Sequence, residues 1–359
     1  MRQRLKRNRA IRTVNVALVV ASALTTASLG AVLQDALAKP GQHAEFLWQR
    51  WLVLLVSLGC VVLAVAWRAR AKRSTGTLFY VQLLDESMQD KRIDALNQAA
   101  KQQLSRRSLT RWLDLDGCIV NGVVDVHESC QEAGKALEGL VNLDRDDTAT
   151  SLAPNALWPM AMALGMDVPA GDPAGSDALK VLELRDDHKG ARDEEFRLKR
   201  DEEPMKLTVR SQEVAASGER VGLWLAFTEA RRAFDIRKFR DFGVHTAHRV
   251  SWDDFDPAAP EAAPRYTGEQ MRCMAPAIAQ KIAALGKPDR EVVVVAMIPK
   301  TVALAVGWHL AQTEGASLAH THLMYYHGRK HRYFPMRVRP SQPSTPPVAV
   351  EPSGAEVAS

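Results

Sequence analysis

Two uncharged apolar runs near the start of the chain restrict its fold more than any other feature of the sequence. The first, Thr13 to Leu33 (TVNVALVVASALTTASLGAVL), has 21 residues. At about 1.5 Å per residue, a helix of that length covers roughly 30 Å, the thickness of a bilayer's hydrocarbon layer. The second, Trp51 to Trp67 (WLVLLVSLGCVVLAVAW), has 17, near the lower end for a span, and Phe46, Leu47 and Trp48 lengthen it. The sequence therefore predicts transmembrane helices at 13–33 and 46–67, joined by a short external loop at 34–45. A cleaved signal peptide competes for the first run, because basic residues precede it and Ala21, Ala23 and Ala27 lie within it. Signal peptides, however, have apolar regions of only about 7–15 residues, and here a second run of the same character follows closely.

Basic residues orient the pair. Arg2, Arg4, Lys6, Arg7, Arg9 and Arg12 precede the first run, Arg68, Arg70, Lys72 and Arg73 follow the second, and the stretch between the two apolar runs, Gln34–Arg50, holds only Lys39 and Arg50. Positive residues stay on the cytoplasmic side, so a basic N-terminus (1–12), a basic linker (68–76) and everything after it are expected in the cytosol, with the basic clusters on anionic lipid. These ten residues exceed the formal net charge of +5. The basic balance is thus a topology signal, and no DNA partner is expected. Cys60, Cys118, Cys130 and Cys273 show no CxxC spacing, which argues against a zinc site.

The rest reads as α/β. TLFYVQLL (Thr77–Leu84) is a strand, Gln89–Leu104 a helix and Leu109–Leu115 a second strand; Val120–Val126 follows as a strand, and Glu128–Leu140 and Asn155–Leu164 as helices. Leu179–Arg185 and the run from Glu195 form a hairpin with a charged tip, and Met205–Ser211 is a third strand beside it. The pattern then restarts. Val221–Thr228 is a buried strand, Glu229–Phe242 a basic helix, Trp252–Pro264 a surface loop, and Gly268 onward a helix stopped by Gly286. Four consecutive valines in Glu291–Pro299 require a strand covered on both faces, and the helix KTVALAVGWHLAQ follows it. Strands Leu318–His327 and Arg332–Val338 close the domain, and the Pro-, Ser- and Ala-rich residues 341–359 are expected to be disordered.

No GxxxxGK[ST], GxSxG or HExxH motif is present, so neither an enzyme nor a cofactor is expected. The most informative place is the junction of the valine strand with its helix, because open α/β sheets bind ligands beyond the carboxyl ends of their strands and helix N-termini favour anions. Pro299, Lys300 and Thr301 stand there, and Thr228, Arg231 and Arg232 take the equivalent place after the other buried strand. Helix capping by the threonines and solvation of the arginines is the structural alternative. Ala303 and Gly307 read as close packing on the sheet, and Trp308 as a core residue or a base-stacking surface. His320 and His322 share a strand face, a pairing that fits solvent or phosphate contact better than a metal.

The blocks VGLWLAFTEARRAF, VVVVAMIPKTVALAVGWHLAQ and LMYYHGRKHRYFPMRV resemble the second half of a SAVED domain, with Pro299, Ala303, Gly307, Tyr325 and Tyr333 at the positions that carry the likeness. That resemblance implies a pseudo-duplicated pair of CARF-like, Rossmann-like halves, here 77–212 and 213–340, which would follow the two transmembrane helices read from the apolar runs. It further implies a receptor for a cyclic oligonucleotide, expected to be a cyclic trinucleotide, in CBASS-type antiphage defence at the bacterial inner membrane. Ligand-driven self-association would then make the hairpin the effector acting on the lipid bilayer. The residues expected to bind ligand are Thr228, Arg231, Arg232, Lys300 and Thr301 on phosphates, beside Pro299, with Trp308 and Tyr333 on bases. A membrane-tethered nucleotide-processing enzyme and a membrane scaffold for a protein partner are the competing readings.

Overall fold

A computed structural model of the chain describes helix α1 (Leu47–Ser74), scattered positions between 16 and 33, and residues 76–101, 103, 105–143, 150–169, 179–184, 194–228, 234–252, 266–287 and 289–347. The basic N-terminus, the external loop, the hairpin tip, Arg231, Arg232, nearly all of the loop at Trp252–Pro264 and the tail from 348 lie outside the described residues. The chain divides into two units: residues 1–77, 98–105 and 145–149, and all the rest.

In the first unit, α1 carries apolar side chains outward in nearly every direction. Leu52, Leu55, Val56, Val62, Leu63 and Trp67 are each about half exposed or more. Among the described side chains of α1 only Leu54, Ser57, Val61 and Ala64 are covered, and their 3-4-3 spacing is that of a helix–helix seam. The Ser57 hydroxyl donates to the Leu54 carbonyl at 2.9 Å, and Thr26 donates to Ser22 at 2.9 Å, so these hydroxyls need no water. Among the described residues no helix is long and apolar enough to cross a membrane. The uncharged core of α1 covers roughly 25 Å, short of a full hydrocarbon layer. The expected pair of spans is therefore not found there.

The second unit is mixed α/β with two sheets containing parallel strands. Its elements are β1 (Thr77–Asp85), α2 (Ile93–Ala100), β2 (Ser105–Leu113), β3 (Ile119–Val120), β4 (Val123–Asp125), α3 (His127–Asn142), β5 (Thr150–Ala156), α4 (Trp158–Asp167), β6 (Lys180–Glu183), β7 (Glu194–Arg197), β8 (Thr208–Glu213), β9 (Arg220–Ala226), a 3-10 turn (Ile236–Phe242), β10 (Val244–Ser251), α5 (Gly268–Leu285), β11 (Val292–Met297), α6 (Lys300–Gln312), β12 (Thr321–His327) and β13 (Arg332–Arg337). One sheet runs β2-β1-β5-β6-β7 and the other β3-β4-β13-β12-β11-β9-β10-β8. In the larger sheet β10, β9, β11 and β12 are mutually parallel, and in the smaller β5 is parallel to β6. The valines behave as expected. Val292 and Val294 enter one hydrophobic cluster and Val293 and Val295 another, so β11 is covered on both faces.

Several expectations need correction. Residues 150–156 form β5, and the helix expected from Asn155 begins only at Trp158; Pro154 and Asn155 mask a strand whose burial comes from its neighbours. Strand β8 pairs with β10, not with the β6–β7 hairpin. The basic helix expected to end at Phe242 is instead a 3-10 turn over its described part, with Asp235 accepting from the Arg237 amide and Gly243 closing it at φ 67°. The stretch 120–126 is a two-strand hairpin turned at Asn121–Gly122, both at positive φ, the signature of a tight primed turn. Gln342, in the segment expected to be disordered, is buried, accepts from the Val338 and Arg339 amides and donates to the Thr321 carbonyl.

The largest helix–helix contact joins α4 and α6, and it is reciprocal. A Cβ on Gly165 would lie 1.8 Å from the Leu304 carbonyl oxygen, and one on Gly307 would lie 1.9 Å from that of Met162. Aligning the glycines aligns Met160–Gly165 (MAMALG) with Val302–Gly307 (VALAVG), so equivalent helices of two strand-helix units meet about a local pseudo-twofold. Gly307 thus packs on a helix, not on the sheet. Next to this contact, burial of His309 pushes its imidazole down to about 4. A histidine kept neutral by the fold contributes stability above about pH 6.5 that is lost as pH falls through 4. Urea melts at pH 7.5 and 4.5 should differ by about 2–3 kcal/mol more in the native chain than in His309→Gln.

Candidate functional site

At the carboxyl end of β11 the chain turns through Pro299 into α6. Proline offers no capping side chain, and no side-chain cap is present among the described residues, which leaves first-turn N–H groups suited to an anion. Lys300 opens the helix and donates to Asn155 Oδ1 at 2.7 Å, reaching the end of β5 in the other strand-helix unit. Asn155 in turn donates to the Tyr80 hydroxyl at 2.7 Å and to Asp90 at 3.1 Å, and Tyr80 donates to Asp90 at 2.8 Å. Beside this chain, Thr301 donates to Glu183 Oε2 at 2.5 Å, and Arg92 Nη2 donates to Glu183 Oε1 at 3.1 Å. Glu183 ends β6. The site therefore collects the ends of β5, β6 and β11 and the loop after β1 around two cations and two carboxylates.

Desolvation is strong here. Burial and then the nearby Arg92 lower Lys300 to about 8, while burial and the bond to Asp90 raise the Tyr80 phenol far above its usual range. Arg92 Nη1 is buried with no hydrogen-bond partner among the described residues. A desolvated ammonium, a guanidinium with a spare donor and an uncapped helix start suit a phosphodiester.

The expected residues separate. Lys300 and Thr301 are in this site, with Pro299 at its edge. Thr228 is half-buried at the end of β9, its amide donating to the Met297 carbonyl at 2.8 Å, on the same sheet edge. Trp308 is 4% exposed, about 12 Å further along α6 and edge-on to His309; it fills the core and presents no stacking face. Tyr333 lies between Phe234 and Tyr326, at ring distances of 5.2 Å each, on the opposite face of the larger sheet from α6. His320 directly precedes β12, and His322 is buried with its Nε2 3.4 Å from Glu291.

Sequence reasoning missed Tyr80, Asp90, Arg92, Asn155 and Glu183. Each is unremarkable locally, and only the equivalence of Asn155, at the end of a strand entering an uncapped helix, with Met297–Lys300 offered a signal.

No protein-family model and no curated protein matches the chain. Among solved structures, the chain is similar to the Acinetobacter baumannii Cap4 SAVED/CARF-domain containing receptor with the cyclic trinucleotide 3'3'3'-cAAA, at a TM-score of 0.39 and 10% identity. The match covers 82% of this chain and 59% of that one, so the chain spans less than two thirds of the receptor's length.

Proposed function

We propose that this chain is a membrane-held receptor for a cyclic oligonucleotide, most simply a cyclic trinucleotide. A SAVED-type domain of two CARF-like halves binds the messenger at the Lys300 site, copies of the protein then associate, and their clustered hairpins disturb the bacterial inner membrane. The observation that carries this reading is the desolvated Lys300 at an uncapped helix start, reaching across a pseudo-twofold to Asn155. A site shared by two similar units suits a ligand that repeats its own phosphate and base. The outward apolar surface of α1 supports the membrane role, since an all-round apolar helix needs a non-aqueous neighbour. Its short uncharged core is accommodated by snorkelling of the flanking basic residues and local thinning of the bilayer.

The test uses the full chain in vesicles containing anionic phospholipid, mixed with cyclic di-, tri- and tetranucleotides. One ligand should raise the melting temperature by mass action and release trapped dye. Removal of the chain from vesicles by alkaline carbonate would end the membrane reading, and the absence of any thermal shift would end the receptor reading. Turnover of an added nucleotide would favour the tethered nucleotide-processing enzyme instead.

A further inference from the structure

The same site already contains an anion of its own. Glu183 spans Thr301 Oγ1 at 2.5 Å and Arg92 Nη2 at 3.1 Å, beside the helix start that no capping side chain occupies. The carboxylate is thus held by a hydroxyl, a guanidinium and the helix dipole, the three groups that would hold a phosphate. Its neighbour Arg92 Nη1 is buried without a partner among the described residues, so the pocket has more donor capacity than one carboxylate uses. Asp90, the other acid, is engaged differently, accepting from Tyr80, Asn155 and the Arg92 amide.

We propose that Glu183 is a built-in placeholder for the ligand's phosphate, displaced when the ligand binds; this rests on the Lys300 site being the ligand site. A phosphodiester entering the Thr301–Arg92 position cannot coexist with a carboxylate sharing the same donors, because two like charges at that distance repel. Glu183 therefore lowers affinity and discriminates against ligands too weakly anionic to displace it. Displacement also has a route outward. Glu183 is the register partner of Glu194 in the β6–β7 hairpin, and Glu194 accepts from the Gly268 amide, at the start of α5, at 3.0 Å. Releasing Glu183 frees the end of that hairpin.

Glu183→Gln keeps the shape and removes the charge; its amide oxygen can still accept from Arg92, while its amide nitrogen can only donate, so the Thr301 hydroxyl must turn to accept. Calorimetry of the full chain with inorganic pyrophosphate and with a 3′,5′-linked cyclic triadenylate separates the outcomes. The placeholder requires Glu183→Gln to bind pyrophosphate about tenfold more tightly than the native chain, with Glu183→Asp, whose carboxylate is withdrawn by one methylene, in between. Equal or weaker pyrophosphate binding by Glu183→Gln, including none by either protein, overturns it. Tighter pyrophosphate binding with no binding of cyclic triadenylate or any other cyclic oligonucleotide keeps the placeholder and discards the messenger. Thermal melts of each variant verify that the fold is retained.

Discussion

Gly307→Ala and Gly165→Ala should each destabilise the protein by at least about 3 kcal/mol, at the upper end for overpacking a core. The usual expectation is the opposite, since replacing a mid-helix glycine by alanine gains about 0.5–1 kcal/mol in helix propensity. What reverses the sign is backbone. The new Cβ would meet Leu304 O at 1.8 Å from Gly165 and Met162 O at 1.9 Å from Gly307, and a carbonyl inside a helix cannot swing aside as a side chain can. The helices would have to separate, opening the core that Met160, Met162, Leu304 and Trp308 share. Gly139 in α3 is the internal control, because nothing lies within 4 Å of its Cβ position; Gly139→Ala should stabilise slightly. Since one separation relieves both clashes, the double alanine variant should cost less than the sum of the single ones. Denaturant melts of the four variants and the native chain measure all of this, and a neutral Gly307→Ala would dismiss the close crossing.

If the proposed cyclic oligonucleotide is the ligand, Lys300→Met should reduce its affinity by about a hundredfold or more, the scale of removing one member of a desolvated charge pair. Methionine preserves the apolar stem, so the loss is assigned to the ammonium. The pH dependence is a second and independent mark. With Lys300 lowered to about 8, the native chain loses its cation as pH rises through that value, so affinity should fall by up to tenfold per unit above it. Lys300→Arg, charged at every accessible pH, should bind with a flat profile between pH 7 and 10. Calorimetry across that range checks both, and unchanged affinity in Lys300→Met would remove this residue from the site.

Part of this was legible from one dimension. Four valines in a row demand a strand covered on both faces, and β11 is one. Helical spacing from Met271 to Leu285 and the stop at Gly286 mark α5 to its last residue. The strand-to-helix junction at Pro299–Thr301 follows from the general behaviour of strand ends and helix starts, and two of the site's residues came from it. Local pattern also identified the apolar runs at the start of the chain, because charge-free length is a property of sequence alone.

Tertiary structure decided the rest. Nothing near Asn155 announces a strand, since Pro154 removes a donor and only neighbours on both sides make β5. Strands β3 and β4 join the sheet of the later strands through β13, a pairing no local propensity encodes. Trp308 and Tyr333 are aromatic residues expected from sequence to stack on bases, and the packing of α6 and the two faces of one sheet direct them elsewhere. The ion cluster exists because two glycines, 142 positions apart, let α4 and α6 approach at backbone distance. Periodicity reports which residues share a face of one element; which elements then meet is set by close packing, and in this chain that packing brings Lys300 to Asn155.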